Sequence, residues 1–100
     1  MFLFDKIAAQ EYEYAFDWYD KRSKDAADSF ASAVQNIIDL ICEHPKRYRN
    51  THKNFREVSL KKYPFSVVYY VDTDKGVIDI ISIYHHKKNP KWKFQKTRKK

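Results

Sequence analysis

The residues best suited to chemistry lie between Arg56 and Pro90, where three β-type runs begin at an arginine and close on Tyr84, His85, His86, Lys87 and Lys88. Histidine is the side chain that titrates near neutrality without a perturbed environment, so His85 or His86 is the natural proton-transfer group. Neighbours on a strand point to opposite faces, which allows at most one of the pair into a common site. The same opposition disfavours chelation, and no carboxylate pattern accompanies the histidines, so no metal is expected. Arg56 suits a phosphate or a carboxylate through its planar fork. Plainer readings stand beside these: a strand-end histidine that is solvated or bonded to backbone, and an Arg56 paired with Glu57 or Asp79.

More cations surround that core. Lys61 and Lys62 close the first β run, and Arg47 and Arg49 lie in the basic stretch before it. From Lys87 to Lys100 there are eight Lys/Arg and no acids. There Lys87, Lys88, Lys91 and Lys93 could track a nucleic-acid backbone while Trp92 and Phe94 stack on bases; a solvated basic tail is the plain alternative.

Elements must position these groups. Met1 to Phe4 is a short apolar run suited to a first strand. From Lys6 to Asp20, Ala8, Tyr12, Ala15 and Tyr19 recur at helical spacing, and Ile7, Tyr14 and Trp18 widen the stripe. Tyr12, Trp18 and Tyr19 are therefore expected in the core. Ser23 is placed to cap a second helix, whose apolar stripe Ala26, Phe30, Ala33, Ile37 and Ile41 runs to about Glu43, where Pro45 ends it. Two helices with a short turn make an antiparallel hairpin whose apolar faces share one partner, the sheet.

Residues 46 to 54 show neither period and read as a loop. Arg56 to Lys62 alternates, with Val58 and Leu60 on one face and Glu57, Ser59 and Lys61 on the other. Phe65 to Val71 is β-branched and aromatic throughout and reads as the central strand. Asp72 to Gly76 supplies a hairpin turn and Val77 to Tyr84 the last strand. The expected fold is α+β: a helical hairpin packed on a small, mainly antiparallel four-stranded sheet in the order β-α-α-β-β-β.

The bulk numbers bound the class. One hundred residues with 43% apolar content support one core, and a single glycine argues against low complexity. Cys42, the one cysteine, allows no disulfide or thiolate cluster within the chain and reads as a core residue. Four apolar residues at the start are too few for a signal-peptide core or a spanning helix, so a cytoplasmic protein without a membrane partner is expected. Residues 1 to 43 carry four Lys/Arg against nine Asp/Glu, and residues 44 to 100 carry sixteen against four, so a charge of −5 faces one of +12. The basic half is where an anionic partner would bind.

Order, length and several short motifs resemble the RelE/ParE superfamily of type II toxin–antitoxin systems, toxins of the plasmid-stabilisation type. Ala15, Trp18 and Tyr19 resemble the "A..WY" that closes the first helix, and Ile41 to Pro45 resembles the "I..P" exit from the second. Arg56, Pro64, Phe65, Val68 and Tyr69 resemble the strand pattern "R…(F/Y)P(F/Y).(V/I).Y", and His85 and Lys88 sit where the family's "H..R" lies. The resemblance covers residues 1 to 90 as one toxin domain and leaves 91 to 100 as a basic tail.

The resemblance implies a toxin neutralised by a cognate antitoxin, acting either on ribosome-bound mRNA as an endonuclease or on DNA gyrase as an inhibitor, with no cofactor. Cleaving RNA by its own 2′-OH needs a proton acceptor, cations on the phosphate and an acid for the leaving oxygen. For these roles the resemblance nominates His85, Arg56 and Tyr84, with Lys61, Lys62, Lys87, Lys88, Arg47 and Arg49 binding nucleic acid or antitoxin. The histidine and lysine rim tips the balance slightly toward mRNA cleavage. Against it, Phe65 to Val71 holds no basic residue where RNA-cleaving members are expected to have one. The competing class is a non-catalytic module that binds nucleic acid or protein through the basic half.

Overall fold

The structure, a computed structural model, describes residues 2–87. Its order is β1 (Phe2–Phe4), α1 (Lys6–Asp20), α2 (Lys24–Glu43), β2 (Arg49–His52), β3 (Phe55–Ser59), β4 (Phe65–Asp72) and β5 (Val77–His85). The two helices pack on a five-stranded sheet of spatial order β1-β5-β4-β3-β2, in which only β1 runs parallel to its neighbour. The expected α+β hairpin-on-sheet architecture is present, with a fifth strand where residues 46 to 54 read as a loop. That strand, β2, pairs antiparallel with β3 across a turn at Lys53, whose φ is +51°. It is an edge strand of polar residues with a bulge, so it carries no apolar alternation to betray it.

Ser23 caps α2 as its position predicts, its Oγ accepting from the Ala26 amide at 3.2 Å. The helix ends at His44, which leaves the helical region at φ −137° ahead of Pro45. Ala8 and Ala15 of α1 and Phe30, Val34, Ile38 and Ile41 of α2 meet Leu60, Phe65, Val67, Tyr69, Ile78, Ile80 and Ile83 of the sheet side in one core. Phe30 is its hub, with rings of Tyr12, Tyr19, Tyr63 and Phe65 at 5.1–5.8 Å. Cys42 packs at the margin of this core, and burial pushes its thiol pKa up.

Trp18 departs from expectation. It is 45% exposed, and the Arg22 guanidinium lies 3.6 Å from its ring centroid while donating to the Trp18 carbonyl. Trp18 sits beside the Ala8–Tyr12–Ala15–Tyr19 stripe rather than within it, so the helix turns it to the rim.

The register of β4 on β5 shifts once: Val68 faces Ser82 and Tyr69 faces Ile80, leaving Ile81 as the extra residue. Ile78 and Ile80 therefore point to the helices, Ile81 points away, and the alternation resumes with Ile83 toward the helices. Beyond the short β1, α1 takes over the edge of β5. The Glu11 carboxylate accepts from the Ile83 amide at 2.8 Å and from the Ser82 hydroxyl at 2.7 Å. No helix among the described residues is long and apolar enough to cross a membrane.

Candidate functional site

The nominated residues divide between the two faces of the sheet. Arg56 lies on the helix-covered face, opposite Tyr69 in the ladder. Its Nη1 donates to the Tyr48 carbonyl at 2.8 Å and to the Lys46 carbonyl at 3.3 Å, while the Tyr69 hydroxyl donates to the Pro45 carbonyl at 2.7 Å. Together the two side chains pin the chain between α2 and β2. Burial pushes the Tyr69 phenol up to about 12, an effect that the Arg56 charge opposes and Tyr48 reinforces.

His85 also turns toward the helix side, but at the far end of β5, opposite Phe65, whose ring it meets edge-on at 5.1 Å. The ladder places it four positions along β4 from the partner of Arg56 and one strand away, so the two do not share a site. Its Nδ1 accepts from the Lys87 amide at 3.1 Å. With Lys87, Trp18, Tyr14 and Ile7 it lines a groove of about 780 Å³ between α1 and the end of the sheet.

Tyr84 faces the other way. Its hydroxyl donates to the Glu57 carboxylate in a short bond, and the phenol is pushed up to about 12, first by burial and then by that bond and charge. Arg49 on the edge strand reaches Glu57 at 3.9 Å. Beside them runs a hydroxyl–imidazole chain: Ser59 Oγ lies 2.9 Å from Ser66 Oγ, which lies 2.9 Å from His86 Nε2. The His86 and Tyr84 rings meet at 6.3 Å. The opposition of adjacent residues thus selects His86, not His85, as the histidine that shares a face with Tyr84. The Ser59–Ser66 pair and Glu57 escape a sequence reading that ranks cations and histidines first. Their signal is the ladder itself, because Ser59 faces Ser66 and Ser66 faces Tyr84.

Arg47, Lys61 and Lys62 do come together, around a second groove of about 540 Å³ between α2 and the β3–β4 connection, floored by Ile37, Leu40, Val58 and Leu60. Lys88, with Lys91, Trp92, Lys93 and Phe94, lies outside the described residues. Among the described residues no three His, Cys, Asp or Glu side chains gather in the manner of a metal site.

Residues 2–90 match the family described as the ParE toxin of the type II toxin–antitoxin system, parDE. The chain belongs to that family. Membership of the ParE group makes it the toxin half of such a system and implies a cognate antitoxin as its partner. Solved structures agree on the fold. A chromosomal ParDE system from P. aeruginosa superposes with a TM-score of 0.59 at 19% identity, over 84% of this chain and 92% of that one. The isolated E. coli RelE toxin gives 0.61 at 16% identity, over 98% and 96%. No curated protein matches the sequence significantly.

Proposed function

We propose that this ParE-family toxin arrests growth by binding a protein target, DNA gyrase, rather than by cutting RNA. One observation carries the reading: the three central strands, β3, β4 and β5, contain a single cation, Arg56, and it lies on the helix-covered face holding two backbone carbonyls. RNA cleavage through the 2′-OH builds charge on a phosphate, which needs cations aimed at it. The helix-free face offers Tyr84, Glu57, Ser66 and His86, with Arg49 at its edge beside Glu57. A carboxylate on such a face repels a phosphate. Gyrase acts on DNA in the cytoplasm, where this reading puts the toxin.

The test is direct. With purified gyrase and supercoiled plasmid, the chain should accumulate gyrase-bound DNA breaks, and induced cells should show no new mRNA ends at translated codons. Codon-positioned mRNA ends without gyrase-bound breaks would sink the proposal.

mRNA cleavage is the second reading, favoured by the Ser59–Ser66–His86 chain beside Tyr84. In that reading His86 takes the proton and Tyr84 lies next to it, while His85 and Arg56 act from outside the site.

The antitoxin reading has its own geometry. Arg47, Lys61 and Lys62 rim an apolar groove, which fits an acidic amphipathic segment by charge at the rim and apolar contact at the floor. Arg49 on the edge strand and Lys87 at the other groove add positive charge that draws such a segment in.

A further inference from the structure

We infer that β1 is the seam of a two-fold dimer, in which Phe2–Phe4 of one copy pairs antiparallel with Phe2–Phe4 of a second copy about Leu3. The sheet ends in β1 at one edge and β2 at the other, each with one hydrogen-bonding side turned away from its neighbour. Such edges invite pairing, and proteins blunt them with charge, proline or a bulge. β2 carries guards of that kind: Arg49, Asn50, Thr51 and His52 are polar, and its ladder with β3 is broken by a bulge. β1 carries none of them. It reads Phe-Leu-Phe, its register with β5 is unbroken, and Leu3 is 52% and Phe4 37% exposed.

Backbone direction decides how a second copy fits. The Asp5 amide donates to the Ile80 carbonyl at 2.8 Å, so Asp5, and Leu3 two residues before it, aim their backbone groups at β5. The amides and carbonyls of Phe2 and Phe4 therefore point outward, where no strand lies among the described residues. An antiparallel copy centred on Leu3 sets Phe2 opposite Phe4 of the second copy, and each such pair exchanges two N–H to O=C bonds. Leu3 then meets its own counterpart in the close, non-hydrogen-bonded pair, where side chains approach most nearly. On the helix side Phe4 stands in a row of rings, 6.0 Å from Phe2 and 6.2 Å from Tyr12, which a second copy extends across the seam. No charge within the strand opposes its copy. Because the same patch serves both sides, the two-fold axis closes the assembly at two chains. The inference goes beyond the gyrase reading and does not depend on it.

Sedimentation equilibrium of the purified, antitoxin-free chain is the test. A seam of three paired residues is small and transient, so the average mass should rise from one chain toward two between about 1 and 500 μM. Leu3→Lys should hold the mass at one chain over that range with the fold kept by circular dichroism, and Asn50→Lys, on the guarded edge, should leave the rise unchanged. In the unaltered chain the Phe4 amide should exchange several-fold more slowly at the high concentration than at the low one, a readout that needs no substitution. A mass of one chain throughout would overturn the inference, and Phe4 protection that appears only with added antitoxin would give the edge to the antitoxin instead. A dimer that survives Leu3→Lys, or one whose Phe4 amide exchanges at the single-chain rate, would also overturn it, because the contact would then lie elsewhere.

Discussion

The two faces of β4 carry the same kinds of residue and use them differently. Val67 and Tyr69 point to the helices, where Tyr69 ends on the Pro45 carbonyl beside Arg56 and closes the connection out of α2. Ser66, Val68 and Tyr70 point to the helix-free side, where Ser66 joins a hydroxyl chain to His86 and Tyr84 meets Glu57 from the next strands. On one face the polar atoms of Arg56 and Tyr69 hold backbone carbonyls; on the other Ser59, Ser66, His86, Tyr84 and Glu57 hold one another's side chains. Arg56, the sole cation of the central strands, belongs to the first kind. It stabilises the fold that presents the second face.

Substitutions should separate the faces by size and by readout. Phe30→Ala, at the hub of the helix-covered core, should cost about 3–5 kcal/mol in urea unfolding and abolish growth arrest through loss of folded protein. Arg56→Ala should cost about 2–3 kcal/mol, because it withdraws a charged donor from two carbonyls. Its effect on arrest should disappear when antitoxin-free protein is held at equal folded concentration. A fully stable but inactive Arg56→Ala protein would move Arg56 to the functional side of the comparison.

Alkaline titration probes one tyrosine from each face. Tyr69 and Tyr84 are both pushed up from 10 to about 12, so folding holds their protons more tightly than the unfolded chain does. That stability is complete below pH 10 and lost as pH rises through 12, about 2–3 kcal/mol for each. Tyr69→Phe and Tyr84→Phe should each remove one share of the slope in unfolding measured between pH 9 and 12. A slope unchanged in either variant would show that its phenol is not held in this way.

Charge reversal at the second groove comes next. Lys61→Glu with Arg47→Glu should weaken antitoxin binding by calorimetry by roughly tenfold per charge at low salt, with the difference shrinking as salt rises. Folding stability should stay within about 0.5 kcal/mol. The smallest effects belong to the histidines: His86→Ala should cost under about 1 kcal/mol through the lost Ser66 bond, and His85→Ala less. Neither should relieve growth arrest. A folded His86→Ala protein that no longer arrests growth would turn the helix-free face into a catalytic one.

The architecture was legible because its periods were intact. The Ala8–Tyr12–Ala15–Tyr19 stripe, the Ser23 cap, Pro45 and the β-branched run of β4 each announce an element on physical grounds. The edge strand Arg49–His52 was not legible, since its four polar residues carry no apolar and polar alternation. Site residues were harder for a related reason. Alternation assigns faces only until a bulge intervenes, and Ile81 shifts the face of everything that follows in β5. Residue type drew attention to Arg56, whereas its carbonyl partners at Lys46 and Tyr48 come from a connection whose path no local pattern foretells. The Arg47, Lys61 and Lys62 grouping, by contrast, follows from charge and from the short β3–β4 connection.

The central claim is that this toxin works by holding gyrase rather than by cutting RNA. It is tested most directly by adding purified toxin to gyrase and supercoiled plasmid and quantifying linear, gyrase-bound DNA after denaturation. The account predicts breaks that rise with toxin up to stoichiometry with gyrase and vanish when antitoxin is added first. Unchanged gyrase activity, together with cleavage of ribosome-bound mRNA by the same preparation, would contradict it.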